Sequence, residues 1–289
     1  MTKFLYIADT HVGANPAGYQ QQKAYPEKLP DILSALCKHV AQSGGVDFIL
    51  HGGDMINLTT EDNVVAAVKA FSLPYPVYLC LGNHDLTTPD AVDLWLKLAP
   101  QFFVGGTPDY TLNTENCVIH ISPNHWGDIP FFWSNTQNAH LSSSQVERLT
   151  HELNENPSLP HIIQTHSPVY GLPEGQTGFT SPYHSPDASF TEQVTSLAAK
   201  HPSVRCILGA HNHQNMCVTR GDVEYVTVSS LIETPFEAKL FEVCPERISM
   251  STISLSDRLA FDSIYDTARS FVQGRAIDRS FARELSAFP

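Results

Sequence analysis

The chain has 289 residues, of which 42% are apolar and 16% are charged, and its 17 basic and 30 acidic residues give a net charge of −13. This charge argues against a protein that holds nucleic acid by neutralising phosphates, because such proteins carry basic stripes. There is no run of 18 apolar residues and no signal-peptide pattern at the amino terminus, so we expect no membrane partner and a cytoplasmic location.

Short apolar segments alternate with amphipathic segments along most of the chain. The predicted strands cover residues 3–8, 47–50, 77–81, 117–122, 161–165, 204–208, 224–229, 239–243 and 247–253. Apolar residues at helical spacing predict helices over residues 29–40, 61–71, 91–98, 143–154 and 191–200. This order predicts an α/β fold whose second half is richer in strands.

Two connections and the end of the chain depart from this alternation. Residues 10–27 are polar, and residues 167–189 are rich in Pro, Gly and Ser. Connections of this length are either functional loops or plain surface excursions. Beyond Asp257, helical spacing predicts one helix, and Phe281 with Leu285 predicts a second, short helix. We therefore divide the chain into a main domain, residues 1–256, and a C-terminal helical extension, residues 257–289.

Five predicted strands end in polar residues that can bind metal ions. These ends are Asp9-Thr10-His11, Gly52-Gly53-Asp54, Gly82-Asn83-His84-Asp85, Thr165-His166-Ser167 and Gly209-Ala210-His211-Asn212-His213. Ligands of α/β proteins gather outside the carboxyl ends of the strands. A single histidine after a strand is usually an ordinary hydrogen-bonded residue, but five such ends predict a metal site. Its oxygen and nitrogen ligands, without a thiolate, suit manganese, iron or zinc.

In this order, the five segments resemble the motif set of the calcineurin-like metallophosphoesterase superfamily, which is D-x-H, G-D, G-N-H-D/E, H and G-H-x-H. The resemblance covers about the first 250 residues. Within the superfamily, the layout of the whole chain resembles that of the bacterial cyclic-nucleotide phosphodiesterases. The resemblance implies the family's fold, in which two packed mixed β-sheets are flanked by helices. One departure is Ala210, which stands where the family usually has histidine directly after glycine.

The resemblance also implies a dinuclear centre and a role for each motif residue. The implied ligands are Asp9, His11 and His213 for the first divalent ion, Asn83, His166 and His211 for the second, and Asp54 as the bridge. His84 would lie near the leaving-group oxygen of the substrate, and Asp85 would orient it. These residues are therefore the candidate metal ligands and the candidate catalytic pair.

Such a centre predicts a hydrolase that cleaves a phosphate ester by attack of metal-bound hydroxide. Two divalent ions about 3.5–4 Å apart can stabilise the attacking and leaving oxygens of an in-line displacement. A small phosphodiester such as a cyclic nucleotide is the favoured substrate, and a phosphomonoesterase or a nucleotide pyrophosphatase would carry the same motifs. A metal-free scaffold of the same fold is an alternative of another class, which the complete set of ligands disfavours. A homodimer stays open, and stable nucleic-acid binding is not expected.

Several further residues are candidates for contact with the substrate. Five aromatic residues could either stack on a base or pack within the protein: Trp126, Trp133, Tyr170, Phe179 and Tyr183. Three histidines lie near or within predicted loops: His120, His125 and His184. The six cysteines form no CxxC pair, which predicts buried free thiols in a reducing compartment.

Overall fold

The computed structural model describes residues 1–15 and 20–285 of the chain. In chain order the strands are β1 (Thr2–Ile7), β2 (Phe48–His51), β3 (Val77–Leu79), β4 (Tyr110–Asn113), β5 (Val118–Ile121), β6 (His161–Gln164), β7 (Val204–Gly209), β8 (Met216–Arg220), β9 (Val223–Thr227), β10 (Glu237–Cys244), β11 (Arg247–Ser254) and β12 (Ser280–Glu284). The α-helices are α1 (Leu29–Gln42), α2 (Glu61–Ala70), α3 (Ala91–Leu98), α4 (Ser143–Glu155), α5 (Glu174–Thr177), α6 (Ala188–Lys200) and α7 (Ala276–Arg279).

The strands form two mixed six-stranded sheets flanked by helices, which confirms the predicted fold class. The first sheet has the order β12-β11-β10-β1-β2-β3, and β1, β2 and β3 are parallel. The second has the order β4-β5-β6-β7-β9-β8, and β5, β6, β7 and β9 are parallel. Parallel strands end at the same edge of a sheet, so each sheet collects several carboxyl ends at one edge.

Local sequence explains why these elements form where they do. The central strand β1 is buried from Phe4 to Ile7. Its continuous apolar run is typical of a strand that is covered on both faces of the sheet. The hydroxyl group of Thr60 caps α2 by accepting a hydrogen bond from the amide of Asn63 at 3.2 Å. A capping box of Ser142 and Gln145 begins α4. The five predicted helices are present, with bounds that differ by a few residues.

The C-terminal extension differs from its prediction in two respects. The first helix predicted beyond Asp257 is wrong, because only short 3₁₀ segments lie there, at Ser256–Arg258 and Thr267–Gln273, before α7. The second helix predicted near Phe281 is wrong, because Ser280–Glu284 forms β12 and pairs antiparallel with β11. The Phe281 ring packs 6.4 Å from that of Phe241, so the strand places an apolar side chain on the sheet. Pairing with β11 therefore outweighs the local helical spacing.

Two further findings bear on the sequence predictions. Among the described residues, no helix has both the length and the apolar character needed to cross a membrane. All six cysteines are free, and five of them are buried. The thiols thus behave as small apolar side chains of the interior.

Candidate metal centre

The carboxyl ends of five parallel strands converge and bring the candidate ligands together. Asp9 and His11 follow β1, Asp54 follows β2, Asn83 and His84 follow β3, His166 follows β6, and His211 and His213 follow β7. All of these residues are buried except His211, which is half-buried. The two sheets therefore contribute to one site, as the resemblance implies.

Unusual backbone conformations mark this site. Five candidate ligands have a left-handed backbone, with φ of 53° at Asp9, 43° at His11, 52° at Asp54, 67° at His211 and 58° at His213. Such conformations cost of order 1–3 kcal/mol each for residues with a side chain, and they cluster at functional sites. Hydrogen bonds of 3.0 Å from the amides of Asp9 and His11 to the carbonyls of Gly53 and Asp54 hold the first two turns together.

Glycines at two of these turns are required by the close approach of other ligands. A Cβ atom at Gly53 would lie 2.4 Å from Nδ1 of His166, and one at Gly82 would lie 2.3 Å from Oδ1 of Asp54. Contacts this short do not occur, so any larger residue would displace a ligand. This explains the glycine in the G-D and G-N-H-D motifs.

The first cluster consists of Asp9, His11 and His213. Nε2 of His213 lies 3.7 Å from Oδ1 of Asp9 and 3.1 Å from Nε2 of His11. Both carboxylate oxygens of Asp9 are buried without a hydrogen-bond partner among the described residues. Burial raises the pKa of Asp9 to about 7, against the lowering effect of His213 and His166. Because unpartnered buried carboxylates are costly, this cluster fits a bound cation.

The second cluster consists of Asn83, His166 and His211. Nδ1 of His166 lies 2.8 Å from the carbonyl oxygen of Gly52, to which it must donate, so Nε2 is the ring nitrogen directed at the centre. That Nε2 atom lies 3.1 Å from Oδ1 of Asn83. The same Oδ1 atom lies 2.9 Å from Nδ1 of His211. Burial lowers the pKa of His211 to about 3, which keeps it a neutral donor of electron pairs.

Asp54 lies between the two clusters. Its Oδ2 atom is 3.3 Å from Nε2 of His166 and 4.0 Å from Nε2 of His11, and its Oδ1 atom accepts a 2.8 Å hydrogen bond from the amide of His84. Burial alone would raise the pKa of Asp54, but its interaction with the neighbouring imidazoles, that of His166 first, holds this pKa well below its usual range. Burial would likewise lower the pKa of His166, and the charge of Asp54 raises it to about 9. An ionised carboxylate thus faces both clusters.

The structure gives Asp85 a different role from the one expected. Its carboxylate accepts hydrogen bonds from the amides of Gly82 at 2.9 Å, Ile56 at 3.0 Å and Met55 at 3.3 Å. Nδ1 of His84 instead lies 2.8 Å from the carbonyl oxygen of Asn57. Asn57 is therefore the neighbour that orients the His84 ring, and Asp85 holds together the turns after β2 and β3.

Sequence reasoning missed two buried residues that hold ligands in place. Oε1 of Glu233 accepts a 2.6 Å hydrogen bond from Nδ1 of His213, which directs Nε2 of that ring towards Asp9. Oδ1 of Asn124 accepts bonds of 3.0 and 2.7 Å from the amides of His166 and Ser167. Glu233 lies in the loop after β9, and Asn124 lies in the loop after β5. This position after a strand was the only feature of the sequence that could have indicated them.

The extra residue Ala210 is accommodated in the turn before the two histidines that follow it, His211 and His213. Its amide donates a 2.8 Å hydrogen bond to the carbonyl of His166, and its carbonyl accepts one of 2.7 Å from Asn212. His211 and His213 then point into different clusters. The departure from the family motif therefore changes the turn and keeps both candidate ligands at the site.

A cavity of about 810 Å³ opens on the centre. Asp54, Asn83 and His84 form its floor, and Trp133, Tyr183 and Arg269 are among its walls. The three other aromatic candidates pack elsewhere: Trp126 on His211, Tyr170 on Tyr225, and Phe179 on Tyr183 and Phe271. Two of the five aromatic candidates are thus placed to touch a ligand.

The three histidine candidates separate in the same way. His184 lines the cavity. His120 is buried away from it, with Nε2 2.8 Å from Nδ1 of His161 and Nδ1 3.0 Å from Oε2 of Glu152. The ring of His125 packs 4.5 Å from that of Phe131. Only His184 of the three lies at the cavity.

The donor set fits two divalent ions that share Asp54. It consists of carboxylates, one amide oxygen and imidazole nitrogens, which are the ligands of manganese, iron and zinc in mixed oxygen and nitrogen sites. The ligand atoms of three overlapping trios lie within 4.8 Å of one another. The unpartnered oxygens of Asp9 are the clearest sign of this fit.

Comparisons with known proteins identify the family and the fold. Residues 2–215 match the sequence model of a family described as calcineurin-like phosphoesterase. No curated protein matches the chain in sequence. A dimetal phosphatase from Danio rerio has a similar structure, with a TM-score of 0.70 at 15% identity over 99% of both chains.

Two other solved structures are similar at lower scores. GAP50, the anchor in the inner membrane complex of Plasmodium, has a TM-score of 0.59 at 12% identity, over 92% of this chain and 88% of its own. The 5′-nucleotidase from Candida albicans has a TM-score of 0.53 at 15% identity, over 93% of this chain and 55% of its own. At these identities the similarity concerns the fold.

Proposed function

The chain belongs to the calcineurin-like phosphoesterase family, and from that premise we propose that it hydrolyses a small phosphodiester at a dinuclear metal centre. Family membership supports metal-dependent phosphoester hydrolysis in general. The observation that carries the proposal is the pair of ligand clusters on either side of Asp54, with the buried unpartnered carboxylate of Asp9 in one of them.

Each ligand would act by holding an ion at the cavity floor. Asp9, His11 and His213 would hold the first ion, Asn83, His166 and His211 the second, and Asp54 both. When bound, two divalent ions supply Lewis acidity, which activates water and offsets charge on the phosphoryl group. Glu233 and the carbonyl of Gly52 fix the ring orientations of His213 and His166, so the ligands are set before the ions bind.

His84 is the residue that we assign to proton transfer. It lies on the cavity floor, and its ring packs 4.9 Å from that of Trp133. Because a carbonyl oxygen only accepts, Nδ1 carries the proton shared with Asn57, and a proton given to the leaving oxygen must come from Nε2. A positioned acid of this kind contributes about 10²–10⁴-fold to a rate. Asp85 supports it by holding the turn that carries the ring.

The shape of the cavity favours a diester over a simple monoester. A volume of about 810 Å³ leaves room for groups on both ester oxygens of a phosphate held at the floor. Trp133 and Tyr183 offer aromatic surface for a base, which favours a nucleotide. A cyclic nucleotide, the substrate favoured by the resemblance, is one member of this class.

One activity panel tests the proposal. With Mn²⁺ present, the protein would be assayed on bis-(p-nitrophenyl) phosphate, p-nitrophenyl phosphate, cyclic nucleotides and nucleotide diphosphate conjugates. We expect a higher kcat/KM for the diesters than for the monoester. A preference for p-nitrophenyl phosphate would overturn the diester assignment and leave a phosphomonoesterase.

Metal content separates the enzyme from a metal-free scaffold of the same fold. After reconstitution, elemental analysis should find about two transition-metal ions per chain. Fewer than one ion per chain, together with no activity on the panel, would refute the enzyme and support the scaffold.

A further inference from the structure

Arg269 brings a positive charge from the C-terminal extension into the wall of the cavity. It lies in the 3₁₀ segment Thr267–Gln273, far along the chain from the metal-binding motifs. Among the described residues that line this cavity, it is the only lysine or arginine, and Asp54 is the only carboxylate. Asp54 faces His11 and His166, and no carboxylate of the described residues forms an ion pair with Arg269.

The backbone of Arg269 is fixed by contacts with the loop opposite. Nε2 of Gln22 donates hydrogen bonds to the carbonyl oxygens of Asp266 and Arg269, at 2.9 and 3.1 Å. Oε1 of Gln22 accepts a 2.9 Å bond from the amide of Asp266. The segment kinks at this point, where Arg269 has φ −110° and ψ 29°. Its guanidinium is therefore presented from a held position.

The guanidinium retains donors that the protein does not use. Nη1 donates to the carbonyl oxygens of Gln20 and Gln21, at 3.3 and 3.0 Å. Nε and Nη2 have no hydrogen-bond partner among the described residues, and no carboxylate among them pairs with this side chain. Arg269 is exposed, so these donors face the open cavity, where the fork of an arginine can bind an anion.

We propose that Arg269 binds a second phosphate group of the substrate, apart from the phosphate that is hydrolysed at the metal centre. The planar fork of an arginine can donate two parallel hydrogen bonds to a phosphate, and its charge does not depend on pH in the working range. This inference rests on the proposed function and narrows it, from diesters in general to diesters that carry a further phosphate. A plain cyclic mononucleotide would then be a poorer substrate.

The alternative is that Arg269 only fastens residues 20–21 to the extension. The variant Arg269→Gln distinguishes phosphate binding from this fastening role, because glutamine can still donate to a carbonyl oxygen but has no charge. Arg269→Lys keeps the charge without the fork. Arg258→Gln is the matched control, since Arg258 is an exposed arginine of the same extension that lines a different cavity.

Two matched substrates test the inference: thymidine 5′-(p-nitrophenyl phosphate) and the same ester with a phosphate on its 3′ oxygen. With Mn²⁺-loaded protein, Arg269→Gln should raise KM for the bisphosphate about tenfold and leave KM for the simple ester within about twofold. Arg269→Lys should fall between, and Arg258→Gln should match the unaltered protein. Equal losses on both substrates, or no loss on either, would overturn the inference.

Calorimetric titration with the same esters gives an answer that does not need turnover. If the unaltered protein hydrolysed neither ester, the proposed function would fail. The inference would then stand only if Arg269→Gln weakened binding of the bisphosphate alone. If the unaltered protein and Arg269→Gln bound the bisphosphate equally well, the inference would be refuted, even if the simple ester were hydrolysed.

Discussion

Replacing Glu233 with glutamine tests how the first cluster is held. The buried carboxylate accepts three hydrogen bonds, from Nδ1 of His213 at 2.6 Å and from the amides of Gln21 and Gln22 at 2.9 and 2.7 Å. Glutamine has the same shape but offers one acceptor oxygen in place of two. Its NH₂ group must therefore face at least one N–H donor, with no water to relieve the conflict, because Glu233 is only 2% exposed.

The expected loss follows from the partner of a metal-binding histidine. Removing such a partner typically weakens metal binding about 10–100-fold, or about 1.4–2.7 kcal/mol. A second effect acts in the opposite direction near neutral pH. Burial lowers the pKa of His213, but the charge of Glu233 raises it to about 9, so at pH 7 a metal ion must displace a proton from this ring. Glu233→Gln should lower the pKa of His213 and so weaken the competition between proton and metal ion at pH 7. The full loss of metal affinity should therefore be visible only near pH 9.

Mn²⁺ affinity measured by calorimetry under nitrogen, at pH 7 and pH 9, checks this reasoning. The ratio of dissociation constants between variant and unaltered protein should grow from pH 7 to pH 9 and reach at least about tenfold. Glu61→Gln is the control, because Glu61 is an exposed carboxylate at the start of α2. Equal affinities of Glu233→Gln and Glu61→Gln at both pH values would refute the role of Glu233.

Three further predictions concern the bridge, the proton donor and a buried lysine. Asp54→Ala should lose both ions and all hydrolysis, because one carboxylate faces both clusters; elemental analysis that still finds two ions would contradict this. His84→Ala should retain the ions and lose about 10²–10⁴-fold in kcat, and an unchanged kcat would exclude its role. Burial lowers the pKa of Lys239 from 10.5 to about 7, so between these values the unfolded chain binds a proton that the folded chain does not. Stability should then rise with pH across that window, by at most about 5 kcal/mol. Urea unfolding of Lys239→Met should show a flatter pH profile, and parallel profiles would refute the assignment.

The convergence of the candidate ligands could be predicted because it depends on local order along the chain. A motif at the carboxyl end of a parallel strand has its place in space fixed by the sheet, so Asp9, Asp54 and His166 need only be on neighbouring strands to meet. The adjacent residues His84 and Asp85 show the limit of this reasoning. They are neighbours in sequence, but a 3₁₀ turn directs their side chains to different partners.

Contacts between distant segments could not be predicted from one sequence. Glu233 meets His213 across 20 residues, and Arg269 enters the cavity from the extension, with no spacing rule to relate them to the motifs. The strands β4, β8 and β12 were missed for a related reason. Each lies at the edge of a sheet, where a short strand needs little apolar alternation because its partner strand supplies the pairing.

The left-handed backbone at the ligands implies a trade between stability and activity at Asp9. Its conformation suits glycine, and its carboxylate is buried without a hydrogen-bond partner among the described residues. Asp9→Gly should therefore make the metal-free protein more resistant to unfolding while it destroys the first metal site. A selection for thermostability alone would favour such changes, so the residues that make the fold less stable are those that selection for catalysis must retain.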